Sequence, residues 1–140
     1  MKNFTKLLLA ILPLLLLFTG CSISTANLKD VKMCTEMTEG RCPSDTTVFS
    51  STTPEIFLST TLKNAPSGTK VSFQWNYLSN GQPDPLDTVS MEAPSEDTTS
   101  YLYSSYPIPS SGSWPAGKYE VVLSLNSDNS ESIHKEFEIK

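Results

Sequence analysis

An all-β chain folded as an antiparallel two-sheet sandwich is what this sequence predicts. Three observations carry that expectation. From Thr46 onward the chain is a series of short alternating runs, cut by Pro or Gly every few residues and lacking a sustained helical stripe. The clearest run sets Tyr119, Val121, Leu123 and Leu125 against Lys118, Glu120, Val122 and Ser124, directly after the turn formers Pro115 and Gly117. A tyrosine that opens a strand just past such a turn has a specific use in sandwiches. Its ring packs inward while its hydroxyl returns to the backbone of the corner.

Taken in order, the chain begins with a basic head, Lys2 and Lys6, followed by an apolar run from Leu7 to Phe18. That run is too short for a bilayer span, which needs about 20 residues, and reads as an export signal. The residues after it, Leu17-Phe18-Thr19-Gly20-Cys21-Ser22, resemble the lipobox of bacterial lipoproteins, departing from it at Phe18, where the family favours an aliphatic residue. The resemblance implies that residues 1–20 are removed and that Cys21 becomes the acylated N-terminus. It also implies an envelope protein lipid-anchored to a membrane, the outer one in a Gram-negative host, since Ser22 rather than Asp follows the cysteine. Acyl chains contribute about 0.8 kcal/mol per buried CH₂, so two or three of them hold stably. Residues 21–33, polar and without sustained periodicity, read as a lipidated tether, with a turn of helix allowed over Leu28–Met33. The folded domain is then expected over residues 34–140.

Removing residues 1–20 takes away Lys2 and Lys6 and no acid, so 10 basic residues become 8 against 15 acidic ones, a formal charge of −7. Such an exterior disfavours nucleic acid and any electrostatic attachment to anionic lipid. With Cys21 assigned to lipid, Cys34 and Cys42 remain as an even pair in an exported chain, which predicts a disulfide contributing about 2–3 kcal/mol. A second reading of the same residues is a soft-metal site, with Met33 and Met37 beside Cys34, because thiolate and thioether suit Cu(I). No repeated Met or His motif supports it. Zinc fares worse, as the single histidine, His134, lies far along the chain and a closed site needs four ligands.

The strands expected from the alternation are Thr47–Ser51, Glu55–Lys63, Thr69–Leu78, Leu86–Met91, Thr99–Tyr106, Tyr119–Asn126 and Ser132–Lys140. In the second, Ile56, Leu58, Thr60 and Leu62 share a face. In the third, Val71, Phe73, Trp75 and Tyr77 do, and Trp75 is expected between the sheets. Asn80 to Pro85 reads as a loop before an edge strand, and Ile108 to Pro115 as a crossing. In the fifth strand Tyr101 and Tyr103 fall opposite Leu102 and Tyr106.

Seven strands with a tryptophan on the third and a tyrosine opening the sixth resemble an immunoglobulin-like sandwich over residues 45–140. The antibody cysteine pair is missing, Val121 standing two residues after Tyr119, so the likeness is to the prokaryotic domains that fill the centre with aliphatics. That resemblance implies no common activity.

Chemistry is sparse. His134 alternates with Ile133, Lys135 and Phe137 and so reads as an outward, solvated histidine with no partner in reach. No Gly-x-Ser-x-Gly elbow, His-Glu-x-x-His motif, phosphate loop or helix–loop–helix calcium loop occurs, so catalytic, cofactor and metal residues are all expected to be none. Tyr101, Tyr103, Tyr106 and Trp114 lie close together in a Ser-rich setting, the composition of adaptable binding surfaces, and form the candidate binding surface. The sequence therefore reads as an anchored binding or structural module whose partners are membrane lipid, through Cys21, and an envelope protein or glycan. The competing class is an envelope enzyme, or a protease inhibitor acting through loops at the sandwich end such as Asn80–Leu86.

Overall fold

The computed structural model describes residues 26–94, 99–126 and 130–140. The eight strands among them are β1 (Asn27–Cys34), β2 (Val48–Phe49), β3 (Glu55–Lys63), β4 (Lys70–Ser79), β5 (Gln82–Glu92), β6 (Thr99–Pro107), β7 (Gly117–Leu125) and β8 (Ile133–Ile139). They form a three-stranded sheet in the order β1-β3-β6 and a five-stranded sheet in the order β2-β8-β7-β4-β5. Every pairing is antiparallel except the two-residue β2, which runs parallel to β8. The fold is a β-sandwich, as expected from the alternation, and an immunoglobulin-like one, as the resemblance implied.

The inner faces meet in one apolar core. Ile56, Leu58 and Leu62 from β3 oppose Val71, Phe73 and Trp75 from β4 and Val121 and Leu123 from β7, all essentially inaccessible to solvent. Trp75 lies between the sheets as expected, and its indole N–H crosses from β4 to donate to Ser104 Oγ on β6 at 3.0 Å. The bond also locates the layers, since it puts β6 above β4. Tyr119 behaves as its position foretells: the ring stacks on Phe137 at 5.1 Å and the hydroxyl donates to the Pro115 carbonyl at 2.7 Å. Burial first, then the neighbouring Tyr77 and Tyr106, pushes its phenol up to about 12.

Two expectations are corrected. Within the stretch read as a tether, 21–33, residues 27–33 are part of β1 and so belong to the sandwich. The alternation was hidden by a bulge: Leu28 faces Leu62 and Met33 faces Leu58, but the register shifts between Lys29 and Lys32, where Asp30 has φ 52°. The extra residue switches parity, so Leu28 and then Val31 and Met33 point inward. The second correction concerns Asn80–Pro85. This is no loop, because Asn80 and Gly81 alone make the turn, at φ 53° and 77°, and Ser79 already pairs with Gln82. Two consecutive positive φ values are what a two-residue hairpin with the sheet's own twist requires. Pro83 and Pro85 are tolerated because β5 is an edge strand.

Asp45 ties the layers together at the flank. Its carboxylate accepts the Met33 N–H from β1 at 2.9 Å and pairs with Lys135 on β8. Partial burial works to raise its pKa, but the Lys135 ammonium and the Met33 N–H outweigh that and hold the carboxyl below its ordinary value.

Candidate functional site

Residues 35–43 leave β1, and the disulfide between Cys34 and Cys42 turns them back over the outer face of the three-stranded sheet. The bond's Cα–Cα distance is 5.5 Å, and the Cys42 N–H donates to Ser59 Oγ on β3 at 2.9 Å. A Thr38–Arg41 bridge closes the tip, with Glu39 and Gly40 both at positive φ. Met33 is fully buried in the core and both sulfurs are consumed, so the cluster does not present the thiolates a copper site would use.

Between this flap and the sheet runs a groove of about 410 Å³, lined among others by Lys32, Thr38, Glu39, Arg41, Ser59 and Thr61. One wall ends in aromatic rings. The Arg41 guanidinium lies 4.5 Å from the centre of the Tyr101 ring, and Tyr103 follows on the same face of β6. Both tyrosines are strongly exposed, 52% and 44%. Register places Lys29, Lys32 and Lys63 on this face as well, opposite Thr61, Ser59 and Thr99. With Arg41 they make four of the eight basic residues left after residues 1–20, gathered on one face of an acidic chain.

The four aromatics expected to act as one patch are divided by the parity of β6. Tyr101 and Tyr103 face outward, whereas Tyr106 turns in and packs on Trp75 and on Trp114, at 5.9 and 5.5 Å. Trp114 is 2% exposed and its indole N–H donates to the Thr53 carbonyl at 2.8 Å, so it closes the sandwich end. Beside it lies a second, mainly apolar cavity of about 260 Å³, bounded by Tyr77, Tyr106, Tyr119, Leu86, Pro109 and the carboxylate-bearing Asp84.

His134 departs from the isolated histidine expected. It does face outward, but its Nδ1–H donates to Glu120 Oε2 at 2.9 Å, and Glu120 Oε1 accepts from Asn76 Nδ2 at 3.0 Å. Asn76 in turn accepts from Gln74. Glu120 stands directly across from Glu136 in the ladder, and like charges in that position repel, which favours its turning to Asn76 and His134. A carboxylate orienting an imidazole is two parts of a hydrolase triad. Two serine hydroxyls of the same face, Ser124 and Ser132, bond to each other at 3.1 Å. Among the described residues no cluster of three or more His, Cys, Asp or Glu has metal-binding geometry. Cys21 lies outside the described residues, and no helix among them is long and apolar enough to cross a membrane.

No family model and no curated protein matches the chain. Solved structures do match in shape. A β-glucosidase from Erythrobacter marinus is similar at 6% identity and TM-score 0.52 over 83% of this chain and 15% of its own. A Niemann-Pick type C2 protein from the Japanese carpenter ant is similar at 13% identity and TM-score 0.51, over 82% of this chain and 92% of its own. The Pseudomonas fluorescens alkylpurine DNA glycosylase AlkC, bound to DNA containing an abasic site analog, is 19% identical over 82% of this chain and 30% of its own, with TM-score 0.48. This chain thus spans under a third of two of these proteins. At such identities the first two likenesses show the sandwich fold alone.

Proposed function

We propose that this protein is a lipid-anchored envelope protein whose single immunoglobulin-like domain works by binding, through the disulfide-pinned face of the three-stranded sheet. The observation that carries the reading is the exposed Tyr101–Tyr103 pair, with Arg41 stacked on the first ring and a polar groove running beside it. Tyrosine and arginine, with tryptophan, are the residues enriched where interface energy concentrates. Lysines and carboxylates interspersed along the groove suit a polar partner met edge-on. The anchor is proposed from the lipobox-like residues ending at Cys21.

Two measurements separate the parts of this reading. Cells labelled with an alkynyl fatty acid should label the wild-type protein and not the Cys21→Ser form. Uptake of no label, with a soluble N-terminus other than Cys21, would show that the anchor is wrong. Crosslinking in the protein's own membranes should recover a partner that the Tyr101→Ala, Tyr103→Ala double variant loses. Undiminished recovery by a folded double variant would move the site elsewhere.

A further inference from the structure

We infer that the domain carries a vacant strand position beside β6, and that it is filled by an extended, lysine- or arginine-bearing segment of another protein. This goes beyond the binding face proposed above, since it rests on a backbone edge and on the opposite side of β6.

The sheets are unequal. Five strands lie under three, and with β6 above β4 no strand among the described residues lies above β5. The inner side of β5 is set by its register with β4: Met91 with Val71, Val89 with Phe73, Asp87 with Trp75 and Asp84 with Tyr77. On β4 the first three of these inner positions are at most 1% exposed. On β5 Met91 and Val89 are half-buried, Asp87 and Asp84 exposed, and Leu86 in the bulge is 38% exposed. An inner face with an apolar floor is thus left uncovered.

Its wall is the free edge of β6. The other three edges are guarded in the ways sheet proteins use against unwanted pairing. A bulge and lysines interrupt β1, β2 is two residues long, and β5 carries Pro83, Pro85, Asp84 and Asp87. By contrast, β6 runs nine residues with no charge, no glycine and no proline before its last position. Its far side offers unpaired N–H and C=O groups to an incoming chain. Where such a chain would end, between Leu86 of β5 and Tyr106 of β6, lies the aromatic cavity of about 260 Å³.

The overhang selects the occupant. Two copies pairing β6 with β6 about a two-fold axis would drive each β5 into the place held by the other's β4. A lone extended segment fits, a second sandwich does not. Alternate residues of that segment would meet Val89, Met91 and Leu86, which asks for aliphatic side chains. Asp84 and Asp87 make no ion pair among the described residues, Asp87 accepting its neighbour's Thr88 N–H, so basic side chains complement them.

The test uses the full chain in detergent and a nine-residue probe peptide whose inward, alternate positions carry valine at one end, to meet Val89 and Met91, and lysine at the other, to meet Asp87 and Asp84, with threonine at the outward positions between. Hydrogen exchange of the β6 amides should slow by about tenfold at saturation, as newly paired amides do. An N-methylated peptide should give no slowing, and a peptide with glutamate for lysine should bind about tenfold more weakly. Asp84→Asn with Asp87→Asn should weaken the lysine peptide and leave crosslinking of the outer-face partner unchanged, which distinguishes this site from the proposed outer face. Unslowed β6 exchange at about 1 mM peptide, equal slowing by the N-methylated form, or concentration-dependent slowing without peptide would overturn the inference.

Discussion

Opening the Cys34–Cys42 bond is the perturbation whose size follows most directly from the structure. The bridged residues are 8 apart in sequence. For a loop of that length the chain-entropy relation gives a denatured-state loss of roughly 8 cal/mol/K, or about 2.5 kcal/mol at room temperature. Unfolding entropy of about 2.1 cal/mol/K per residue, over the roughly 110 described residues, sums to about 0.23 kcal/mol/K, so Tm should fall by about 11 °C. Calorimetry with and without a phosphine reductant isolates this contribution, because reduction keeps both sulfurs in place. Cys34→Ala with Cys42→Ala should fall somewhat further, since the two residues are only 5% and 3% exposed and their packing is lost too. The flap's grip on the sheet should loosen in both cases, exposing Ser59 and separating Arg41 from Tyr101. A drop of less than about 3 °C on reduction would refute the reasoning. It would mean that the Thr38–Arg41 bridge and the Cys42–Ser59 bond hold the flap without a crosslink.

Trp75→Ala should cost about 3–5 kcal/mol in urea unfolding, and Trp75→Phe a smaller amount set by the Ser104 hydroxyl left without its donor. The Tyr119 phenol is raised from 10.0 to about 12 in the folded state, so the unfolded chain ionises first. The Tyr119 contribution should therefore be level below pH 10, stability should fall as pH climbs from 10.0 towards about 12, and part of that slope should be lost in Tyr119→Phe. A slope identical in the two proteins would remove Tyr119 as the cause. Asp45 is depressed in the folded state, so its contribution is fully present well above 3.8 and disappears as pH drops through its lower folded value. Asp45→Asn should flatten that acid limb in urea midpoints measured against pH, and an unchanged limb would mean that other carboxylates supply it.

Much of the sandwich was legible because its strands obey simple parity. Trp75, Tyr119 and the inner rows of β3 and β4 needed nothing beyond alternation and the Pro115–Gly117 corner. The misreadings occur where parity is broken or where a turn is shorter than its composition suggests. At Asp30 one inserted residue moved Val31 and Met33 out of phase with Leu28, and the strand looked like a tether. At Asn80-Gly81 the two prolines that follow suggested a loop, although an edge strand tolerates them. The groove under the flap left a fainter signal: Phe57, Ser59 and Thr61, the middle of the outward row of β3 between Glu55 and Lys63, carry no charge, which suits a stretch that something covers. Arg41 gave no signal at all, since its place over Tyr101 depends on where the disulfide turns the chain.

The N-terminal strand also sets how the domain stands. Only five residues, 22–26, lie between Cys21 and Asn27, and the six steps reach at most about 20 Å even fully extended. With lipid on Cys21, the sandwich end bearing Asn27, Lys63, Lys70 and Thr99 would sit almost against the headgroups. Because β1 then runs away from the bilayer to Cys34, the Asn80-Gly81 hairpin and the aromatic cavity beside Trp114 occupy the far end, while the disulfide flap folds back along the flank until Arg41 reaches Tyr101. A partner would have to approach from across the envelope compartment or along the domain's flanks, and one lying flat on the same leaflet would pass beneath those features.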